Sequence, residues 1–320
     1  MRYVIGTDEA GYGPNLGPLV VGASVWEVPD DAAASDMYRL LRKAVVAKVP
    51  ADKERRLAIA DSKALYNPAC GLRHLERGVH VSWALLGRCA ATWRAVWPLV
   101  SSPAAAWLDD LPWHADYDLA VPCEVAAEEI AATVAFFQAR AETAGVRLID
   151  LRADVVYPAR FNDLVDKYDS KGEVLSLVTL ALVAEQAKTL PPGDIHVTCD
   201  KHGGRGRYAA LLQHLFPDAL LAVRNESRLE STYRVACDGR TIDFCFLAKG
   251  ERMLPTAHAS MLAKYLRELA MLPFNAFWQR EVAGLKRTAG YPTDAKRFWD
   301  DIRATQQKLC IGDRILWRNR

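Results

Sequence analysis

Four carboxylates in this 320-residue chain stand at the ends of apolar runs or just beyond them: Asp8 and Glu9, Asp200, and Glu251. Acids gathered without a basic partner repel one another and hold on to protons. Divalent cations remove that repulsion. Mg²⁺ takes oxygen ligands and keeps several waters, so a few carboxylates and a substrate phosphate suit it. Two such ions, about 4 Å apart, can stabilise both the attacking and the leaving oxygen of an in-line phosphoryl displacement. No histidine or cysteine falls beside the four acids, which argues against zinc. His202, the nearest in sequence, reads as a loop residue or a phosphate contact.

The elements that must position these acids follow from hydropathy and punctuation. Tyr3 to Gly6 reads as a strand that delivers Asp8 and Glu9. Neighbouring strand residues face opposite ways, so this pair serves one site only if the backbone bends just after it. Gly11 and Gly13 permit that bend and the close approach of another molecule. Leu19 to Trp26 reads as a second strand. Asp30 to Ala34 suits a helix start, with Met37, Leu40, Leu41, Val45 and Val46 following at helical spacing. Leu57 to Ala60 reads as a short strand ending in Asp61-Ser62-Lys63-Ala64-Leu65, where Asp61 or Ser62 can cap a helix. Ala126 to Ala144 is a helix closed by Gly145. Val146 to Val156 is a strand, and Glu173 to Leu190 an apolar helix. A buried strand, Ile195 to Cys199, ends at Asp200. It is followed by the basic, glycine-rich Lys201 to Arg207 and the helix Tyr208 to Phe216. Ala219 to Val223 is a further strand. Ser231 to Cys237 and Arg240 to Leu247 flank Asp238-Gly239, the dipeptide of a tight hairpin. Pro255-Thr256 opens a helix, and Asp294 to Gln306 forms another.

Apolar residues make up 51% of the chain, ample for a core, and the net charge of +2 means that any nucleic-acid-binding surface must be local. The seven cysteines show no paired spacing and read as reduced thiols of a cytosolic, cytoplasmic protein. Met1 leads straight into the first strand, so no signal peptide is expected. Val174 to Val183 is too short to span a bilayer. The region 88–125 contains Trp93, Trp97, Trp107 and Trp113, with Ser101-Ser102-Pro103 as loop punctuation, and reads as a peripheral insertion whose tryptophans form a small core of its own.

The stretch Asp8-Glu9-Ala10-Gly11-Tyr12-Gly13-Pro14, continuing through Gly17-Pro18, resembles the signature of the type 2 ribonucleases H (ribonucleases HII and HIII), which reads roughly Asp-Glu-Ala-Gly-Arg-Gly-Pro. Tyr12 stands where ribonuclease HII has arginine. Asp61-Ser62-Lys63-Ala64-Leu65 resembles the family's Asp-Ser-Lys-Lys-Leu. Lys249-Gly250-Glu251, a spacer, Pro255, and then Ala259-Ser260-Met261-Leu262-Ala263-Lys264 resembles Lys-Gly-Asp, a proline and Ala-Ala-Ser-Ile-Leu-Ala-Lys. Gly290-Tyr291-Pro292-Thr293 resembles Gly-Tyr-Gly-Thr. The motifs cover roughly 1–66 and 145–310, in the family's order; the stretch from Asn67 to about Pro122 does not match.

The resemblance implies a ribonuclease H-like α/β fold: a mixed sheet with helices on both faces. It also implies a catalytic domain over 1–270 and a helical C-terminal portion over 271–320. It implies that Asp8, Glu9, Asp200 and Glu251 hold two Mg²⁺ or Mn²⁺ ions. Glu251 is similar to the ribonuclease HIII arrangement, where HII has Asp. The family reads the ribose 2′-hydroxyl largely through main-chain groups, here those of Gly11, Tyr12 and Gly13. Lys63, Ser260 and Lys264 would line the substrate cleft. The tyrosine of the Gly-Tyr motif packs on the sugar at an RNA–DNA junction, a role that falls to Tyr291. Arg205 and Arg207 could hold phosphate, or belong to a loop with no such role. The expectation is a monomeric endonuclease that cuts the RNA strand of RNA–DNA hybrids, with incision at single ribonucleotides in duplex DNA. Its alternatives are a nuclease of this fold acting on another nucleic-acid structure and a non-catalytic nucleic-acid-binding protein.

Overall fold

The apolar run at the start continues further than hydropathy alone requires. Strand β1 spans Arg2–Ala10 and pairs antiparallel with β2, Leu19–Val28, in an unbroken register from Arg2 opposite Val28 to Ala10 opposite Val20. In this computed structural model the described residues are 1–51, 54–66, 71–100, 108, 110–237 and 239–319. Asn67, Ser101, Ser102, Pro103, Trp107 and Asp238, singled out above, lie outside them, as does Cys70, one of the seven cysteines.

After β2 the expected long helix does not form. A 3₁₀ turn at Ala34–Asp36 leads into the four-residue α1, Met37–Leu40. Val45 and Val46, whose spacing looked helical, form β3 instead, parallel to β4, Leu57–Ala58. Two β-branched residues in sequence favour the extended chain once a partner strand is at hand. Helix α2 is Ser62–Leu65, with Asp61 capping it by accepting from Lys63 N–H at 3.1 Å. There follow α3, Arg73–Leu85, α4, Trp93–Val100, and α5, Ala127–Thr143. Next come β5, Arg147–Val156, α6, Pro158–Tyr168, and α7, Lys171–Thr189. Strand β6, Ile195–Asp200, is followed by α8, Ala209–Leu215. Strands β7, Leu220–Glu226, β8, Glu230–Cys237, and β9, Arg240–Leu247, come next. The chain closes with α9, Leu254–Glu281, α10, Pro292–Lys308, and α11, Asp313–Leu316. Helix α9 runs without interruption through residue 270, so it crosses the expected domain boundary.

The main sheet has the order β5-β2-β1-β6-β9-β8-β7. β1, β6 and β9 are mutually parallel neighbours, and the remaining pairs are antiparallel. This is the expected mixed sheet with helices on both faces and a helical C-terminal portion. One face carries Val4, Val20 and Trp26 against α9, whose Leu262 and Leu266 are buried. The other carries Ile5, Val25 and Val197 against α7 and α8. Each large aliphatic side chain so removed from water stabilises the fold by roughly 1.5–3 kcal/mol.

The described tryptophans of 88–125 do not form a separate core. Trp93, Trp97 and Trp113 join the cluster built around α9. Trp93 Nε1 donates to Leu269 O at 2.9 Å, and Trp113 sets its ring edge-on to Phe274, 5.1 Å between centroids. The described part of the stretch is a layer over α9: large aromatic surfaces are buried best on the biggest apolar face available. Among the described residues no helix is long and apolar enough to cross a membrane.

Two histidines beneath this layer make acid sensitivity a testable property. His258 meets Ser82 Oγ at 2.8 Å and His80 meets the Tyr265 hydroxyl at 3.0 Å. Burial pushes His258 down to about 3 and His80 down to about 4. The unfolded chain takes up these protons near pH 6.5. The folded state therefore binds fewer protons below that pH, and stability falls as pH drops from about 6.5 toward 4. Each group contributes a slope of up to about 1.4 kcal/mol per pH unit. The urea midpoint is expected to fall more steeply between pH 7 and 5 in the wild type than in His258→Gln. Equal slopes would remove His258 from the effect.

Candidate active site

Three acid-bearing segments reach the same end of the sheet because their strands are adjacent and parallel. Thr7 of β1 lies opposite Cys199 of β6, so Asp8 and Asp200 stand at the same level in the sheet. Asp200 in turn lies opposite Leu247, the last residue of β9. The chain then turns through Lys249, at φ 64°, into the 3₁₀ turn Gly250–Arg252, which carries Glu251. Gly250 is pressed against Asp200: a Cβ there would lie 2.9 Å from Asp200 N, and the Gly250 N–H donates to Asp200 Oδ1 at 2.8 Å. That contact holds the turn that carries Glu251 against the end of β6.

Asp8 and Glu9 remain in regular strand, and the bend comes at Gly11, at φ 86°. A side chain at Gly11 would need this left-handed backbone and would meet Pro18 O at 2.5 Å. Asp8 is oriented toward α9, where the Ser260 hydroxyl bonds to it and stands 2.9 Å from Ser62 Oγ. Burial, then the charge of Glu9, raises Asp8 well above the usual carboxylate range; the Ser260 bond opposes this and Asp200 adds to it. Burial, then Asp200, raises Glu9 to about 7, with Lys63 pulling the other way. Asp8, Glu9 and Asp200 thus feel one another, and Lys63 is within reach of Glu9. Glu251 is not among the charges acting on Asp8 or Glu9. Among the described residues, no group of three or more His, Cys, Asp or Glu side chains is placed to hold a metal ion. The donor chemistry nevertheless suits a hard divalent cation: three oxygen acids with like charge and no counter-charge between them, two of them raised by burial and by their neighbours.

The other expected residues divide. Tyr12 lays its ring near the turn after β6, where a Cβ on Gly203 would lie 2.8 Å from its hydroxyl, and Lys171 Nζ sits 5.0 Å from its centroid. Gly13 is exposed and neighbours Tyr291, which is 54% exposed; a Cβ on Gly13 would be 3.8 Å from Tyr291 Cε1. Gly290, at φ 82°, lets the two segments touch: its carbonyl accepts from Asn15 N–H at 2.7 Å. Arg205 lies within range of Tyr12 and stands 3.9 Å from Glu173. Arg207 is largely exposed, 3.6 Å from Glu226. Lys264 binds Glu268 at 2.6 Å, its ammonium 4.5 Å from the Tyr66 centroid, and is not brought to the acids. His202 lies in the connection after β6, as a loop residue, but it is buried, with Nδ1 3.1 Å from Ser176 Oγ, and is not offered to a phosphate. Two residues that the sequence did not signal stand behind the glycine loop, Arg267 and Arg318, both buried. Nothing in their local motifs marks them, because their role depends on where the tail returns.

Several solved structures are similar to this chain. The ribonuclease H2 of Pyrococcus horikoshii OT3 is 15% identical over 98% of this chain and 92% of its own, with a TM-score of 0.46. A Bst ribonuclease HIII in complex with Mn²⁺ is 14% identical over 99% of this chain and 66% of its own, with a TM-score of 0.40. The ribonuclease HII of Archaeoglobus fulgidus, solved in complex with PCNA, is 14% identical over 99% of this chain and 94% of its own, with a TM-score of 0.41. No protein-family model matches the chain, and no curated protein matches it. The similar structures are type 2 ribonucleases H, the family whose motifs the sequence resembles.

Proposed function

We propose that this protein is a metal-dependent endonuclease that hydrolyses the RNA strand of RNA–DNA hybrids. The observation that carries the reading is the convergence of Asp8, Glu9, Asp200 and the Glu251 turn at the carboxyl ends of three adjacent parallel strands. Asp8, Glu9, Asp200 and Glu251 would hold Mg²⁺ or Mn²⁺. Such ions, when bound, supply an activated water and charge for the departing 3′ oxygen. The remaining work falls to the chain's own groups. Ser260 fixes Asp8, and Gly250 N–H occupies one oxygen of Asp200 and leaves the other for a ligand. Lys63 offers a cation at the rim for a backbone phosphate. The Gly11–Gly13 main chain faces the ribose, where a hydroxyl separates RNA from DNA. Tyr291, exposed beside Gly13, can pack on a sugar or base.

The test is cleavage of labelled hybrid, duplex DNA, duplex RNA, single strands and a DNA duplex with one ribonucleotide, with and without Mg²⁺ or Mn²⁺. Metal-dependent cutting confined to the RNA strand of the hybrid and the single ribonucleotide is expected. Failure to cut hybrid with either metal, or equal cutting of duplex DNA, would overturn the reading. Tyr291→Ala is expected to slow incision at a single ribonucleotide about tenfold more than cleavage of a long hybrid, since a stacked ring is worth on the order of 1–3 kcal/mol. Equal losses on both substrates would deny Tyr291 the junction role.

A further inference from the structure

The tail after α11 returns across the molecule and lies along the glycine loop. Arg318 N–H donates to Asn15 O at 2.9 Å, and Leu16 and Trp317 form an antiparallel bridge. Asn162 holds this tail from the other side, donating to Trp317 O at 2.8 Å and accepting from Asn319 N–H at 2.8 Å. The arrangement delivers the Arg318 side chain, only 1% exposed, beneath the loop. Its guanidinium lies 4.9 Å from the Phe161 ring centroid, and Nη2 donates to the carbonyls of Gly11, at 2.6 Å, and Pro14.

Folding alone does not call for a charge here. A buried guanidinium is costly unless paired. Arg318 has no carboxylate against it among the described residues, and its Nε and Nη1 find no partner. A neutral donor could satisfy the same two carbonyls. The charge has a directional consequence instead. The Gly11–Tyr12 peptide is trans, so its N–H points away from its C=O. With the Gly11 carbonyl drawn inward to Arg318, the Tyr12 N–H faces outward, and nothing among the described residues accepts from it. A cation at the carbonyl end also polarises the peptide and strengthens the donor at the other end. The Pro14 carbonyl is the anchor of the pair, since the amide on its far side, Asn15 N–H, is already committed to Gly290 O.

We infer that Arg318 is a positioning residue: it aims and polarises the Tyr12 N–H toward a ligand oxygen, the ribose hydroxyl on the functional reading above, on which this inference rests. Arg267 supports the far side of the same loop, donating to Leu16 O and Ala289 O.

The experiment compares the affinity for a hybrid with that for an all-DNA duplex of the same sequence, in Mg²⁺, with Asp200→Asn as the non-cleaving parent. Adding Arg318→Gln is expected to reduce the preference for hybrid about tenfold with little change in all-DNA binding. Adding Arg318→Lys, which keeps the cation, should retain most of the preference. Hybrid preference unchanged in a folded Arg318→Gln protein would overturn the inference and leave the functional reading standing. Equal loss of hybrid and DNA binding, or equal effects of Gln and Lys, would make Arg318 merely structural and also overturn it. A parent with no preference for hybrid would defeat the functional reading, and the inference with it. If Arg318→Gln does not fold, Asn162→Ala, which releases the tail while keeping Arg318, should lower the preference; an unchanged preference would then overturn the inference.

Discussion

Asp200→Asn is expected to cut hybrid cleavage by at least about a thousandfold, since even an outer-shell partner of a metal ligand is worth 10–100-fold. The substitution removes the charge and keeps the shape. The amide oxygen can still accept from Gly250 N–H, which holds the Glu251 turn against β6. Asp200 also acts on both other acids, raising Asp8 and Glu9. Its neutralisation therefore relieves repulsion in the folded state, and the thermal midpoint should stay the same or rise slightly. The same relief predicts weaker Mn²⁺ binding, since fewer charges call for a counter-ion. Loss of activity together with retained stability is the signature of a ligand rather than a brace. Near wild-type turnover in a well-folded Asp200→Asn protein would remove Asp200 from the site.

What was legible in the sequence was what short-range pattern controls. The apolar runs before Asp8, before Asp200 and before Ala248 are strands, and each carries its acid to the end that the pattern implied. Helix limits marked by Pro255 and by Gly145 at φ 64° were equally readable, because caps and breakers act locally. Val45 and Val46 were not, since a two-residue strand exists only because Leu57 and Ala58 come alongside. The tryptophans of 88–125 announced burial but not its place; Leu269 and Phe274, which receive Trp93 and Trp113, lie more than 150 residues away. The convergence of the acids depends on β1, β6 and β9 being neighbours, a fact of topology that no single motif contains. Arg318 is the extreme case: its place beneath the first loop comes wholly from the return of the tail.

Gly6→Ala is expected to cost more than roughly 3 kcal/mol, above the usual range for overpacking, in which side chains can yield. A Cβ at Gly6 would lie 2.1 Å from Pro255 C and 2.3 Å from Thr256 N. These are backbone atoms in the first turn of α9, so neither can rotate aside. The helix would have to lift off β1. Lifting it would stretch the Ser24 Oγ bond to Pro255 O, now 2.8 Å, and the Thr256 Oγ1 bond to Thr198 O, now 3.1 Å. It would also draw Ser260 away from Asp8, so stability and the site should fail together. Gly13→Ala is the matched control. Gly13 has no left-handed backbone, and the nearest atom to a Cβ there is Tyr291 Cε1 at 3.8 Å, an ordinary contact. Its urea midpoint should stay near that of the wild type, within the roughly 0.5 kcal/mol typical of surface changes. If Gly6→Ala unfolded within 1 kcal/mol of the wild type on the same scale, direct contact between α9 and β1 would not be what holds the acids in place.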